Sequence, residues 1–181
     1  MRKLAITQNI TVDGAIEILG DWFDPGDQDA ELLEELHRED ANADALLVGR
    51  QTFEAFRGYW PKQTDDQTGV TDYLNQVRKY VVSSTLDDPE WENATILRGD
   101  PVDEARALKA QDGKDIVVTG SITLCHALVA AGLVDEYRLF GYPVVQGRGR
   151  RLFPDGFSAD LRRLEVKAFA NGVTYARYAA A

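Results

Sequence analysis

The sequence predicts a three-layer α/β sandwich: a mostly parallel central sheet, helices on both of its faces, and an antiparallel hairpin at the end of the chain. Three observations carry this reading. Short continuous apolar runs, each closed by a turn residue, alternate with amphipathic segments, which is the rhythm of strands buried on both faces. The chain has 181 residues, the size of one domain, 1–181, that buries about 70% of its unfolded surface without staples. Near the end, Asn171-Gly172 separates two alternating runs. Asn-Gly in that setting is a strong hairpin signal, because both central residues of a type I′ turn need positive φ.

The elements follow in order. Lys3 to Thr11 reads as a strand. Asp29 to Asp40 places Leu32, Leu33 and Leu36 on one helical face. Ala45 to Val48 is a buried strand closed by Gly49, and Gln51 to Phe56 begins a helix behind it. Trp60 to Gly69 is polar and loop-like. Lys79 to Val82 and Thr95 to Leu97 are strands closed by Ser83-Ser84 and Gly99. Pro101 to Lys109 is a helix with Asp100 as N-cap and Pro at its first position. Asp115 to Val118 is a strand closed by Gly120, Ser121 to Ala131 a helix that Gly132 terminates. Glu136 to Val145 is extended, and Arg163 to Ala170 and Val173 to Tyr178 form the hairpin.

Composition narrows the function. The chain is 44% hydrophobic and 28% charged, ordinary for a globular domain. Thirty acids against twenty bases give a net charge of −10, against a general nucleic-acid binder, whose affinity comes from neutralising phosphates. The excess acid lies before residue 135; the last quarter is mildly basic. One cysteine, Cys125, precludes an intramolecular disulfide, and with only His37 and His126 far apart no metal site is expected. Cys125-His126 lies in an apolar helix and reads as a buried, inert thiol. No apolar stretch reaches the ~18 residues of a membrane span, and the N-terminus lacks a signal-peptide core, so a cytoplasmic protein is expected. The strand surface of Tyr137 to Val145 and the hairpin calls for cover, and a homodimer is the expected form.

Three strand ends could carry chemistry. In Val48-Gly49-Arg50-Gln51-Thr52, glycine admits a ligand to the backbone. The helix start behind it offers free N–H groups, and Arg50 adds a fork suited to phosphate. The alternative is a tight turn with an exposed arginine. Ser83-Ser84-Thr85 can bind phosphate or ribose oxygens, or form an ordinary polar turn. Val118-Thr119-Gly120-Ser121-Ile122-Thr123-Leu124 again breaks a strand at glycine and opens a helix, with Ser121 as a simple N-cap the alternative. If pyrophosphate lies there, a side chain at 120 would fill its space. Ligands of open α/β sheets bind outside the carboxyl ends of the strands, so three such ends persuade together. Gly147-Arg148-Gly149 begins like a dinucleotide fingerprint but has Leu152 in place of the third glycine and links no strand to a helix.

Thr11-Val12-Asp13-Gly14, Val48 to Glu54, Val81 to Ser84 and Val118 to Ser121 resemble the dihydrofolate reductase fold. More closely, Gly132 to Leu139, Pro143 to Gly147 and Arg151-Leu152-Phe153 resemble the reductase domain of bifunctional riboflavin biosynthesis enzymes and its stand-alone bacterial relatives. The likeness spans nearly the whole chain in order. It implies NADPH as hydride donor and a small heterocyclic or phosphoribosyl-linked substrate, as in 5-amino-6-(5-phosphoribosylamino)uracil reductase. By the same resemblance Gly49, Arg50 and Thr52 hold the adenosine side and pyrophosphate. Ser83 and Ser84 lie near the 2′-phosphate, and Gly120, Ser121, Thr123 and Leu124 line the pyrophosphate and nicotinamide side. The chain departs from dihydrofolate reductases at Thr119-Gly120, where they have Gly-Gly, and Asp27, Asp29 and Glu31 all stand near the place of their pterin-binding carboxylate. It has no zinc deaminase motif. Asp13 or a water is the expected proton donor, and Trp22, Phe23 and Trp60 the expected wall against a flat ring. The alternatives are a pterin reductase and a nucleotide-binding protein of the same fold without turnover.

Overall fold

In a computed structural model, which describes residues 1–27 and 29–180, the chain forms one eight-stranded sheet. In chain order its strands are β1 (Leu4–Thr11), β2 (Ala43–Gly49), β3 (Arg78–Val82), β4 (Ala94–Leu97), β5 (Asp115–Val118), β6 (Glu136–Tyr142), β7 (Leu161–Ala168) and β8 (Thr174–Ala180). The helices are α1 (Ala30–Ala41), α2 (Arg50–Tyr59), α3 (Val70–Gln76), α4 (Pro101–Ala110) and α5 (Ile122–Ala130). The strand order is β4-β3-β2-β5-β1-β6-β8-β7. β4 through β6 run parallel, and β8 and β7 close the sheet antiparallel.

Alternation along β2 shows how both faces are used. Ala45 and Leu47 face one core with Leu4, Ile6, Ile116, Val118 and the inner sides of α4 and α5. Leu46 and Val48 face a second core with Val81, Val117, Phe53 of α2 and Leu74 of α3. The strands are therefore apolar at nearly every position, as parallel strands between helices must be. A third cluster joins Leu32 of α1 to Phe140, Tyr142 and Tyr175 of the β6–β8 pair.

Capping follows the expected chemistry at α4 and α5. Asp100 accepts from the amides of Val102 and Asp103. Gly132, at φ +65°, ends α5 with Leu133 N–H donating to the Leu128 carbonyl, a Schellman closure. Two local expectations are corrected. The hairpin turn is not type I′: only Gly172 has positive φ, its N–H donates to the Phe169 carbonyl, and Asn171 Oδ1 accepts from Val173 N. The loop is thus longer than two residues, a turn followed by a left-handed glycine. The polar stretch after Trp60 is not all loop, since Trp60–Lys62 makes a 3₁₀ turn and α3 follows at Val70. α3 is only seven residues long, too short for apolar periodicity to announce it. It is held from outside: the Asp66 carboxylate accepts from Thr68 and Thr71 amides, and the Lys79 ammonium donates to the Leu74 and Val77 carbonyls at its end. No helix among the described residues is long and apolar enough to cross a membrane.

Candidate active site

β2 and β5 are parallel neighbours, so the turns leaving them bring the starts of α2 and α5 together at the carboxyl edge of the sheet. These two helices differ from α1 and α4. The latter are capped by Asp29 and Asp100, whereas α2 and α5 have no side-chain cap. Their first-turn amides lack intrahelical partners and carry the positive end of each dipole.

Hydrogen bonds lock the two turns to each other. Gly49 N–H donates to Ser121 Oγ at 3.0 Å, and Ser121 N–H donates to Thr52 Oγ1 at 2.8 Å. The Ser121 hydroxyl thus bridges to β2 instead of capping its own helix. Gly120 and Ser121 both lie in the left-handed region, at φ +54° and +45°, a conformation costly for a residue with a Cβ. Gln8 of β1 sustains it: Nε2 donates to the Gly120 carbonyl at 2.8 Å, and Gly120 N–H donates to Oε1 at 3.1 Å. Sequence reasoning did not single out Gln8. The signal available was an amide side chain inside a strand buried on both faces, where it must find partners.

The other expected residues fall as follows. Gly49 leaves its surroundings open, with only Ser121 Oγ, at 4.0 Å, near a Cβ built there. Arg50 is exposed and, among the described residues, pairs with Glu54 alone, at 3.3 Å. Ser83 is buried, and its hydroxyl accepts from the amides of Thr85 and Leu86, so it shapes its own turn. Ser84 is exposed, and its carbonyl takes a hydrogen bond from Arg98 at the end of β4. Arg98 is a second cation at that corner which the sequence reading missed. Thr123 is exposed; Leu124 is 6% exposed in the core, so it can offer a ligand its amide but not its side chain. A Cβ on Gly120 would meet Thr52 Cγ2 and Oγ1 at 2.9 Å. That position is closed by α2, not by the space assigned to a pyrophosphate. The Cys125 thiol is buried against the Gly120 carbonyl and Gln8, and burial pushes it up to about 12; it is inert as expected.

A cleft of about 400 Å³ opens beside Thr119 and Gly120, between β1, α1, α2 and α3. Phe23 and Trp60 are on its wall, with Leu36 and Phe56. Trp22 is not: it packs edge-on against Tyr142 and donates from Nε1 to Gln146 Oε1, supporting the wall from behind. Of Asp27, Asp29 and Glu31, the three carboxylates considered for the ring, Asp27 alone lines the cleft. Asp29 caps the helix, and Glu31 accepts from the Ala170 amide.

Asp13, the expected proton donor, is placed as a hydrogen-bond acceptor. Its carboxylate accepts from Thr11 Oγ1 and from the amides of Gln146 and Gly147, and these bonds, Thr11 first, lower it to about 2. It stays ionised and ties the end of β1 to the loop after β6, outside the cleft lining. Inside the cleft, Asp40 is the group poised near neutrality. Burial and the Glu39 charge raise it to about 7, and His37 opposes them.

The carboxyl edge of an α/β sheet of this order, with two uncapped helix starts locked side by side and an apolar cleft adjoining them, is the candidate site. A Shewanella protein assigned by name to riboflavin biosynthesis superposes with a TM-score of 0.72 at 18% identity, covering 99% of both chains. A pyrimidine reductase-like protein of Corynebacterium diphtheriae superposes at 0.68 and 18% identity, covering 99% of this chain and 92% of that one. The family model described as the RibD C-terminal domain matches residues 2–175, and the chain belongs to that family. It is also 32% identical to the uncharacterized protein YyaP of Bacillus subtilis, over 98% of this chain and 94% of that one.

Proposed function

We propose that this protein is an NADPH-dependent reductase that delivers a hydride to a small heterocycle held in the cleft. The observation that carries the proposal is the pair of uncapped helices, α2 and α5, whose starts are bonded to each other through Gly49, Thr52 and Ser121. First-turn amides from both, at Arg50, Gln51 and Thr52 and at Ile122, Thr123 and Leu124, suit a pyrophosphate. Gly49 keeps the approach open. Arg50 and the exposed Ser84, with Arg98 beside it, fit a 2′-phosphate. Gly120, set by Gln8, would turn the chain between pyrophosphate and nicotinamide.

When bound, NADPH supplies the hydride. The residues present it and exclude water: Thr119 and Gly120 border the cleft, so a ring between Phe23 and Trp60 would lie next to the cofactor's reactive end. With Asp13 committed to its loop, a water entering the cleft delivers the proton. As part of the same proposal the protein is a cytoplasmic homodimer. β7 is an edge strand with Leu164 and Val166 exposed, and a second copy would cover it. The test is a tryptophan-fluorescence titration with NADPH and NADH, followed by absorbance at 340 nm with pyrimidine and pterin acceptors. Tight NADPH binding with turnover supports the proposal. Binding without turnover on any acceptor favours a nucleotide-binding protein that has lost the reaction.

A further inference from the structure

Resting on the reductase reading, we propose that the substrate is an unphosphorylated flat ring whose inserted end carries a cationic or N–H-donating nitrogen, and that Asp40 selects it. The walls of the cleft are apolar, from Leu36, Leu46, Phe56 and Trp60 among others. Its charged groups are Asp24, Asp27, Glu39 and Asp40, and among the described residues lining it there is no Lys or Arg. A phosphate monoester entering here would meet like charge and no counter-ion, in a walled space where screening is weak.

The nearest bases are already engaged elsewhere. Lys3, Arg38, Arg138 and Arg177 line a separate polar cavity on the far side of Glu39. There they pair with Glu35, Glu136, Glu165 and Asp115. They are not available to a substrate phosphate.

Asp40 differs from the other acids of the cleft. Glu39 accepts from Thr7 Oγ1 and the Tyr175 hydroxyl. Asp24 accepts from the Gly26 amide and Asp27 from the Asp29 amide. The Asp40 side chain is half-buried, lines the cleft, and has no hydrogen-bond partner among the described residues. A half-buried carboxyl without a partner gains most from a ligand that brings one. An amidinium, an aminopyrimidine edge or a protonated ring nitrogen meets that need, whereas a phosphate or a carboxylate repels it. The position near the end of α1 also makes Asp40 a different anchor from Asp27, which precedes the same helix.

The probes are benzamidine, benzamide and benzoate, flat rings of nearly one shape that differ in charge, with ribose 5-phosphate as the phosphorylated control. Binding to the full chain, with and without NADPH, is followed by ligand-observed NMR and calorimetry. Benzamidine should bind at least about tenfold more tightly than benzamide, the effect of one hydrogen bond to a charged group, with benzoate and ribose 5-phosphate weaker still. Asp40→Asn should remove the preference for benzamidine while the NADPH affinity stays the same. Benzoate or ribose 5-phosphate binding in the cleft as tightly as benzamidine overturns the proposal, and so does an Asp40→Asn protein that keeps the full preference. The ranking of probes on the unaltered chain decides the matter even if that variant folds poorly. Absence of NADPH binding would overturn the reductase reading alone, because the probe ranking is measured without cofactor as well.

Discussion

Substituting Gly120 by Ala perturbs the site in two separable ways. The backbone at φ +54° costs a residue with a Cβ about 1–2 kcal/mol. The new Cβ also lies 2.9 Å from two atoms of Thr52, so Thr52 must move, and its hydrogen bond from Ser121 N–H, worth about 0.5–1.5 kcal/mol, is lost or weakened. The sum is about 1.5–3.5 kcal/mol, within the roughly 5–15 kcal/mol that a domain commands, and equivalent to a fall in melting temperature of roughly 3–14 °C. The variant therefore folds, but its two helix starts no longer hold their spacing, and NADPH binding should weaken by more than about tenfold. Thr52→Ala in the Gly120→Ala background removes the crowding and leaves the backbone strain. Melts on the four proteins of that cycle should show a coupling of about 1 kcal/mol, and cofactor titrations on the same samples report the site. Additive melting losses would refute the crowding argument. A Gly120→Ala protein that binds NADPH at native affinity would refute the role of this turn.

Other outcomes follow from the same geometry. Arg50→Ala should weaken NADPH by about 1.5–3 kcal/mol and leave NADH nearly untouched, measured by fluorescence titration. Asp13→Ala should lower the melting temperature at neutral pH without abolishing turnover. The Asp13 carboxylate is held below its usual range, so its contribution is complete above about pH 4 and is lost as pH falls toward 2; wild type and variant should converge there. Asp40 has the opposite sign. Its raised value, set by burial and Glu39 against His37, with Tyr73 of α3 also in its field, makes ionisation costly in the fold. Stability is therefore fullest below about pH 4 and declines up to about pH 7. Asp40→Asn should raise stability by up to about 4 kcal/mol at pH 8 and by little at pH 4, read from denaturant melts. Light scattering should return a particle near twice the 20.1 kDa chain mass; one chain mass across micromolar concentrations would reject the dimer.

β2, β3, β4 and β5 were legible because each is a short apolar run soon followed by Gly or Ser, a pattern that depends only on local sequence. So were the caps at Asp100 and Gly132, which act within one turn. α3 was not legible, since its start depends on Asp66 and its end on Lys79, contacts that form only after the chain folds. The strand order was equally hidden: β8 inserts between β6 and β7, and no local signal says so. In the site, the glycine-bearing turns at Gly49 and Gly120 were visible as motifs. What the motifs could not show was direction. Asp13 turns to Gln146 and Gly147, Leu124 turns into the core, and Trp22 packs on Phe23 outside the cleft lining. Gln8 and Asp40 went unnoticed because their importance lies in what is, or is not, across from them.

The central claim, that paired helix starts hold the cofactor, is tested most directly by amide NMR of the full chain during an NADPH titration. Saturating shifts should concentrate at Arg50, Gln51 and Thr52, at Ile122, Thr123 and Leu124, and at Gly49 and Gly120 between them, with further shifts near Ser84 and Arg98. Absence of shifts, or shifts confined to residues away from the carboxyl edge of β2 and β5, would contradict the account.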